Sequence, residues 1–202
     1  MKLVMNYMKK ILLLVMLTVL ISCGGADERK AKYLEKGKQY LKENNFDKAR
    51  IEFKNVMQID PKSAAAFYYM GQVNEKGKDL RMAVAHYKKS IELDAQYIDP
   101  KIKLATIFTV IGTDAFITQA RDLLADVFSI DSTNMEARIV DATIEFKAGD
   151  KVKARSQLED VIKADKSLVE GFGILSNIYA STGNANKAIS VLKEGVKYNQ
   201  DS

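Results

Sequence analysis

A spacing of about 34 residues recurs along most of the chain and constrains its fold more than any other feature. Five alanines share this phase, and a bulky apolar residue follows each of them four positions later. The alanines are Ala49, Ala83, Ala120, Ala154 and Ala188, in steps of 34, 37, 34 and 34 residues, and their bulky partners are Phe53, Tyr87, Leu124, Leu158 and Leu192. Residues four apart share one face of a helix, so each pair predicts a close helix contact with a filled groove beside it. A fixed period of this length indicates a repeat array.

Each repeat contains a second helical stripe upstream of its alanine, and this stripe carries its own small residue in phase. These small residues are Gly37, Gly71, Ala105, Ala142 and Ser176, and an acidic or amide residue lies eleven positions after each alanine, at Asp60, Asp94, Asp131, Asp165 and Asn199. Each unit is therefore predicted to be a helical hairpin. The predicted helices cover residues 28–43, 46–59, 63–76, 80–93, 97–111, 116–130, 134–148, 151–164, 168–182 and 185–198.

Several helix starts carry capping signals. Asp99-Pro100 predicts an N-cap followed by proline at the first helical position, and residues 133–136 and 167–170 have the pattern of capping boxes. The third unit is three residues longer than the others, which lengthens either its hairpin turn or the start of its second helix. Phe116 and Ile117 lie in this insertion. We expect them to fold back on the hairpin, and the alternative is that they are exposed.

The motifs of the first unit resemble the tetratricopeptide repeat. Gly37-x-x-Tyr40, Ala49-x-x-x-Phe53 and Pro61 match that family's pattern, whereas Asn74 and Glu145 stand where an aromatic residue is usual. The resemblance implies an all-α fold, a right-handed α-solenoid of about five hairpins over residues 30–202. The units are about 30–63, 64–97, 98–134, 135–168 and 169–202. It also implies a scaffold that binds other proteins and is not an enzyme.

The first 22 residues are predicted to be a targeting segment. Lys2, Lys9 and Lys10 precede an apolar run over residues 11–21, which is too short to span a bilayer and is typical of a secretory signal. The run ends in Leu20-Ile21-Ser22-Cys23, which looks like the lipobox of bacterial lipoproteins. A diacylated Cys23 would anchor the chain stably, with residues 23–29 as a short linker. The alternative is a free thiol near a cleavage site.

The charge balance does not favour a nucleic-acid partner. The net charge is +5, and it falls to about +2 once the three lysines of the targeting segment are removed. The single cysteine excludes a disulfide within the chain. His86 is the only histidine and has no cysteine nearby, so neither a metal site nor a catalytic triad is predicted. The glycines are spaced by whole repeats, which gives no phosphate loop and no cofactor site.

The inner surface formed by the first helices is the predicted binding site. Residues next to the small positions, and four residues from them, are expected to line a groove that is apolar and hydroxylic in its middle. The candidates are Tyr68, Gln72, Ile102, Thr106, Ile139, Thr143, Phe146 and Asn177. This composition favours an extended peptide or a partner helix as ligand. The alternative is that some of these residues pack against the next unit.

The lipobox and the short charged stretch that leads into the first repeat resemble the tetratricopeptide-repeat lipoprotein of the exosortase (PEP-CTERM) system, of which this chain would be the N-terminal part. That resemblance implies a role in envelope protein sorting or exopolysaccharide export. The rival is a small lipoprotein that assists type IV pilus or secretin assembly. Gly24 after the cysteine favours the outer membrane, facing the periplasm.

The fifth unit is expected to leave an apolar stripe exposed. Ile189, Leu192 and Val196 lie on its second helix, with Phe172 or Leu175 predicted to be exposed behind them. A patch of this kind marks a continuation of the array, a partner or self-association through that helix.

Overall fold

The computed structural model describes the backbone of residues 25–200 and the side chains of residues 25–198. The predicted signal peptide and Cys23 lie outside the described residues. The described chain consists of α-helices joined by short turns, without a β-strand, which confirms the predicted all-α class. The helices are α1 (25–42), α2 (Phe46–Ile59), α3 (Ala64–Lys76), α4 (Leu80–Leu93), α5 (Ile98–Ile111), α6 (Asp114–Ile130), α7 (Met135–Lys147), α8 (Lys151–Ala164), α9 (Val169–Ser181) and α10 (Ala185–Gln200).

These bounds agree with the predicted ones to within about three residues. The largest difference inside the array concerns the insertion of the third unit, because α6 begins at Asp114 and is 17 residues long. Thr113 caps this helix by accepting a hydrogen bond from the backbone N–H of Phe116. The three extra residues therefore lengthen the second helix and not the turn. The Phe116 ring packs 4.9 Å from the Phe108 ring, so the expectation that Phe116 folds back on the hairpin is confirmed.

The helices fall into two compact units that divide between Asp94 and Ala95. The N-terminal unit contains α1 to α4, and the C-terminal unit contains α5 to α10. Inside each unit, the two helices of a hairpin pack on each other, and the first helix of the next hairpin packs on the second helix before it, as α3 does on α2 and α9 on α8. None of the helices among residues 25–200 combines the length and the hydropathy needed to cross a membrane.

The repeated small residues allow close helix contacts, as predicted. All five in-phase alanines are buried, and four of the five bulky residues that follow them are buried as well. Gly37 and Gly71 lie against the rings of Phe53 and Tyr87, and a methyl group at either glycine would overlap the ring. The residues that recur with the repeat are therefore residues of the hydrophobic core.

The in-phase aspartates end the second helices. Asp60, Asp94, Asp131 and Asp165 are the C-caps of α2, α4, α6 and α8. The carboxylates of Asp131 and Asp165 accept hydrogen bonds from the backbone N–H and the hydroxyl of Thr133 and Ser167. These Asx turns shape the connection to the next hairpin.

Three predicted helix starts are wrong in detail. The hydroxyls of Thr133 and Ser167 donate hydrogen bonds to the aspartates before them, and neither residue is the N-cap of its helix. Asn134 caps α7 instead, and α9 has no side-chain cap. Asp99-Pro100 is not the N-cap pair of α5, because α5 begins at Ile98 with both residues in its first turn.

Candidate functional site

A cleft in the C-terminal unit is lined by three successive first helices. Its walls come from α5, α7 and the start of α9 together with the turn before it, and its volume is about 220 Å³. The lining residues are Ile102, Lys103, Thr106, Glu136, Ile139, Val140, Ser167, Leu168, Val169 and Glu170. Three of the predicted groove residues, Ile102, Thr106 and Ile139, are thus brought together in one place.

The floor of the cleft is apolar and rigid. Ile102 and Ile139 are nearly inaccessible, and Ile139 belongs to the core cluster that includes Leu158 and Leu175. Half-buried Leu168 packs against the same cluster. Since these side chains are held by the core, the alternative that some groove residues pack against the next unit holds for Ile139. Such a floor offers a fixed apolar surface to a ligand side chain.

The polar groups of the cleft are arranged around this floor. Thr106 donates its hydroxyl hydrogen to the carbonyl of Ile102 at 2.9 Å, so its oxygen faces a ligand only as an acceptor. Glu136 and Glu170 lie in the first turns of α7 and α9, where the helix dipoles favour a carboxylate. Lys103 is the single cationic residue of the lining. The rim therefore provides acceptors and negative charge above an apolar floor.

The size of the cleft decides which class of ligand suits it. Pockets for drug-sized small molecules usually have volumes of about 300–1,000 Å³. A cleft of about 220 Å³ is smaller and admits a side chain or two. It fits an anchor residue of a polypeptide better than a whole small molecule.

Two of the other predicted residues, Tyr68 and Gln72, belong to the N-terminal unit. Tyr68 is buried, with its ring centroid 5.0 Å from that of Tyr69 and 6.0 Å from that of Tyr87, so it contributes to aromatic packing. Gln72 is half-buried. Lys38 approaches the same aromatic group, with its ammonium 5.9 Å from the Tyr69 ring centroid.

The remaining predicted residues lie in the C-terminal unit but do not line the cleft. Thr143 donates its hydroxyl to the carbonyl of Ile139, and half-buried Phe146 packs against the core cluster. Asn177 is exposed on α9. Cys23, the predicted lipidation site, lies outside the described residues.

A charged cluster between α6, α7 and α8 was not predicted from the sequence. Buried Glu145 accepts hydrogen bonds from Arg121 at 2.9 Å and Lys153 at 3.0 Å. The bond from Arg121 is the main reason that the pKa of Glu145 lies below its usual value. The replacement of the usual aromatic residue at position 145 was the signal in the sequence, but its cationic partners come from two other helices.

Asn74 of the second hairpin corresponds by the repeat to Glu145, and its buried amide also has a polar partner. Its amide nitrogen lies 2.8 Å from Nδ1 of His86, which is also 3.0 Å from the carbonyl of Met82. His86 is half-buried. Burial is the main cause that lowers the pKa of His86. Among residues 25–198, no group of histidine, cysteine and carboxylate side chains has the arrangement needed to hold a metal ion.

Two segments of the chain match a known repeat family. A family model of the tetratricopeptide repeat matches residues 64–97 and 169–202. The two matched segments contain the α3–α4 and α9–α10 hairpins.

Two curated relatives share sequence with the chain. DnaJ homolog subfamily C member 3 of Gallus gallus is 27% identical over 168 residues, which cover 83% of this chain and 29% of that protein. The type IV pilus assembly protein PilF of Pseudomonas aeruginosa is 28% identical over 72 residues, which cover 36% of this chain and 29% of PilF. The match therefore spans less than a third of the length of either relative.

Solved structures show the same fold over most of the chain. The structure of Pseudomonas aeruginosa PilF has a TM-score of 0.70 at 15% identity and covers 85% of this chain and 78% of that one. YrrB, described as a TPR protein with an unusual peptide-binding site, has a TM-score of 0.55 at 20% identity, with coverage of 84% and 86%. At these identities the likeness concerns the fold alone, and it confirms the predicted array of tetratricopeptide-repeat hairpins.

Proposed function

We propose that this chain, an all-α protein of tetratricopeptide-repeat hairpins, is a non-catalytic scaffold that binds a polypeptide segment in the cleft between α5, α7 and α9. The observation that carries the proposal is the cleft itself, an apolar floor with a polar rim built from three successive first helices. A bound segment would place one apolar side chain on Ile102 and Ile139. The Thr106 oxygen and the Lys103 ammonium would meet its backbone N–H and C=O groups.

A lipid anchor at Cys23 completes the proposal. The apolar run over residues 11–21 and the Leu20-Ile21-Ser22-Cys23 sequence support export and acylation. One residue that carries two or more acyl chains passes the threshold for stable membrane attachment. The scaffold would then face the periplasm from the outer membrane of a bacterial envelope and hold its cleft close to that membrane.

Two envelope processes are candidates for this scaffold. Exosortase-linked sorting or exopolysaccharide export is supported by the resemblance of the lipobox and of the lead into the first repeat. Type IV pilus or secretin assembly is supported by the similarity to PilF in sequence and in fold. Deletion of the gene separates them, since the first predicts loss of exported polysaccharide and the second predicts loss of surface pili.

Site-specific crosslinking in intact cells tests the binding function. A photoreactive amino acid at Lys103, on the rim of the cleft, is expected to capture a polypeptide. Thr106→Trp should abolish this capture, because the larger side chain fills the cleft. A crosslinker at exposed Lys163, on α8 of the same unit, is the matched control. Equal capture from Lys103 and Lys163, or capture that Thr106→Trp leaves unchanged, would contradict the proposed site.

A further inference from the structure

An apolar stripe runs along one face of α10. Ile189, Leu192 and Val196 follow the spacing of one helical face, and their exposed fractions are 52%, 47% and 55%. The expectation of an exposed stripe is thus confirmed for these three residues. It is wrong for Phe172 and Leu175, which are buried against the rest of the unit.

The residues at the corresponding positions of the other hairpins are buried or half-buried. Leu192 corresponds by the repeat to Phe53, Tyr87, Leu124 and Leu158, each of which is at most 2% exposed. Val196 corresponds in the same way to Met57, Ile91, Phe128 and Ile162, all of them half-buried. The positions of Leu192 and Val196 are therefore buried or half-buried on every other second helix of the described chain, whereas both are exposed on α10.

Where the covering element lies in the same unit, it is the first helix of the next hairpin, as in the pairs α2–α3, α6–α7 and α8–α9. α3 covers α2, with Tyr69 stacked on Phe53 at 5.2 Å and Val73 in the same core cluster. α9 covers α8, where Leu175 and Ile178 share a cluster with Leu158. Among residues 25–198 no helix takes this position against α10. The packing of α3 on α2 and of α9 on α8 therefore shows how a helix would pack on the stripe of α10.

The charges beside the stripe indicate which charge a helix that covers it should carry. Lys193 lies four residues after Ile189 and three before Val196, and Lys197 lies four residues after Lys193, so both border the stripe on one side. Both side chains are exposed. Glu194, the one carboxylate among residues 185–198, lies farther round the helix and pairs with Lys166 at 3.2 Å. The border of the stripe is cationic.

A second copy of this chain is a poor occupant. Two α10 helices packed antiparallel on each other would bring Lys193 and Lys197 of both copies to the same side of the contact, and like charges in contact are unfavourable. α1 of a second copy fits no better, because its positions that correspond to Met70 and Val73 of α3 hold Lys36 and Gln39. Both of these side chains are exposed and polar. The outer face of α1 is therefore not built to cover an apolar helix.

We propose that the α10 stripe is the docking site for an amphipathic helix of a partner protein, with acidic residues beside its own apolar stripe. The partner's apolar side chains would cover Leu192 as α9 covers Leu158. Its carboxylates would pair with Lys193 and Lys197. This surface lies outside the cleft between α5, α7 and α9 and does not depend on the function proposed for it.

Two synthetic peptides test the proposal against the purified full chain. Each is a helix about as long as the 16-residue α10, with leucines at the i, i+3, i+4 and i+7 spacing of an apolar stripe. One carries glutamates beside the stripe and the other carries lysines at the same positions. Binding is measured by fluorescence anisotropy of the labelled peptide, and self-association of the chain is measured by sedimentation at the same concentrations.

The acidic peptide is expected to bind and the basic one to bind at least about tenfold more weakly, a difference of about 1.4 kcal/mol. Leu192→Glu should abolish binding. The double variant Lys193→Glu and Lys197→Glu should reverse the preference. Val152→Ser, which removes a 70% exposed apolar residue on α8, should change nothing. Equal binding of both peptides, no binding of either, or a dimer that Leu192→Glu converts to a monomer would overturn the proposal.

Discussion

The phenol of Tyr87 donates a hydrogen bond of 2.6 Å to the carboxylate of Glu75, although the Tyr87 ring is in the core. The other four hairpins place phenylalanine or leucine at this position. Burial is the main cause that raises the pKa of Tyr87, so the phenol remains a neutral donor at physiological pH. The bond joins α3 and α4 within one hairpin. It links the buried Tyr87 ring to the half-buried carboxylate of Glu75.

Tyr87→Phe should therefore destabilise the chain although it keeps the ring. Loss of one hydrogen bond to a carboxylate that water can reach is expected to cost about 1 kcal/mol. A urea denaturation midpoint detects a change of this size. Glu75→Gln keeps an acceptor and should cost less. Identical midpoints for Tyr87→Phe and the wild type would show that the bond contributes nothing.

Two glycine substitutions should have opposite effects. At Gly71 a methyl group would overlap the Tyr87 ring, so Gly71→Ala is expected to lower stability by about 1–3 kcal/mol. At Gly173, inside α9, a methyl group would meet nothing within 4 Å. Gly173→Ala should raise stability by up to about 1 kcal/mol through helix propensity. Thermal unfolding of the two variants checks the signs, and equal shifts would be inconsistent with the close packing of Gly71.

Enlarging the in-phase alanines should disturb the core. Ala83 and Ala154 are inaccessible, and extra methylene groups at either site must displace a neighbouring helix. Ala83→Leu and Ala154→Leu are each expected to cost about 1–3 kcal/mol. Ala125→Leu, at an exposed position of α6, is the matched control and should be nearly neutral. Unchanged unfolding in both core variants would refute the assigned phase.

Acidification should weaken the chain through His86. Its pKa in the folded state is below the ordinary value of 6.5, whereas the unfolded chain takes up the proton near that value. The unfolded state thus binds more protons, and stability falls as the pH drops below about 6.5. In His86→Gln, the decline of the denaturation midpoint between about pH 7.5 and 5.5 should be shallower than in the wild type. Equal slopes would exclude His86 as the cause.

Cys23 is predicted to carry the membrane attachment. Cys23→Ala removes the thiol that would be acylated, so the protein should no longer incorporate labelled palmitate and should leave the membrane fraction or stay unprocessed. Fractionation and palmitate labelling in bacterial cells measure both effects. Labelling of the variant at the level of the wild type would disprove lipidation at this residue.

The repeat period was predictable because it is a local property. The alternation of alanine and a bulky residue four positions later, as in Ala49 and Phe53, places both on one helix face whatever the rest of the chain does. The same spacing predicted which of these side chains are buried. It also predicted that Leu192, on the second helix of the fifth unit, is exposed. Helix order, hairpin turns and the phase of the core were therefore available from the amino-acid sequence.

The tertiary structure alone decided which partner each polar group has. Glu145 and Asn74 depart from the repeat pattern in the same way, yet one meets Arg121 and Lys153 and the other meets His86. The groove candidates likewise separated, since Ile102, Thr106 and Ile139 share a cleft while Asn177 does not line it. Periodicity assigns a residue to a helix face, but the distance between side chains of different helices depends on how those helices pack.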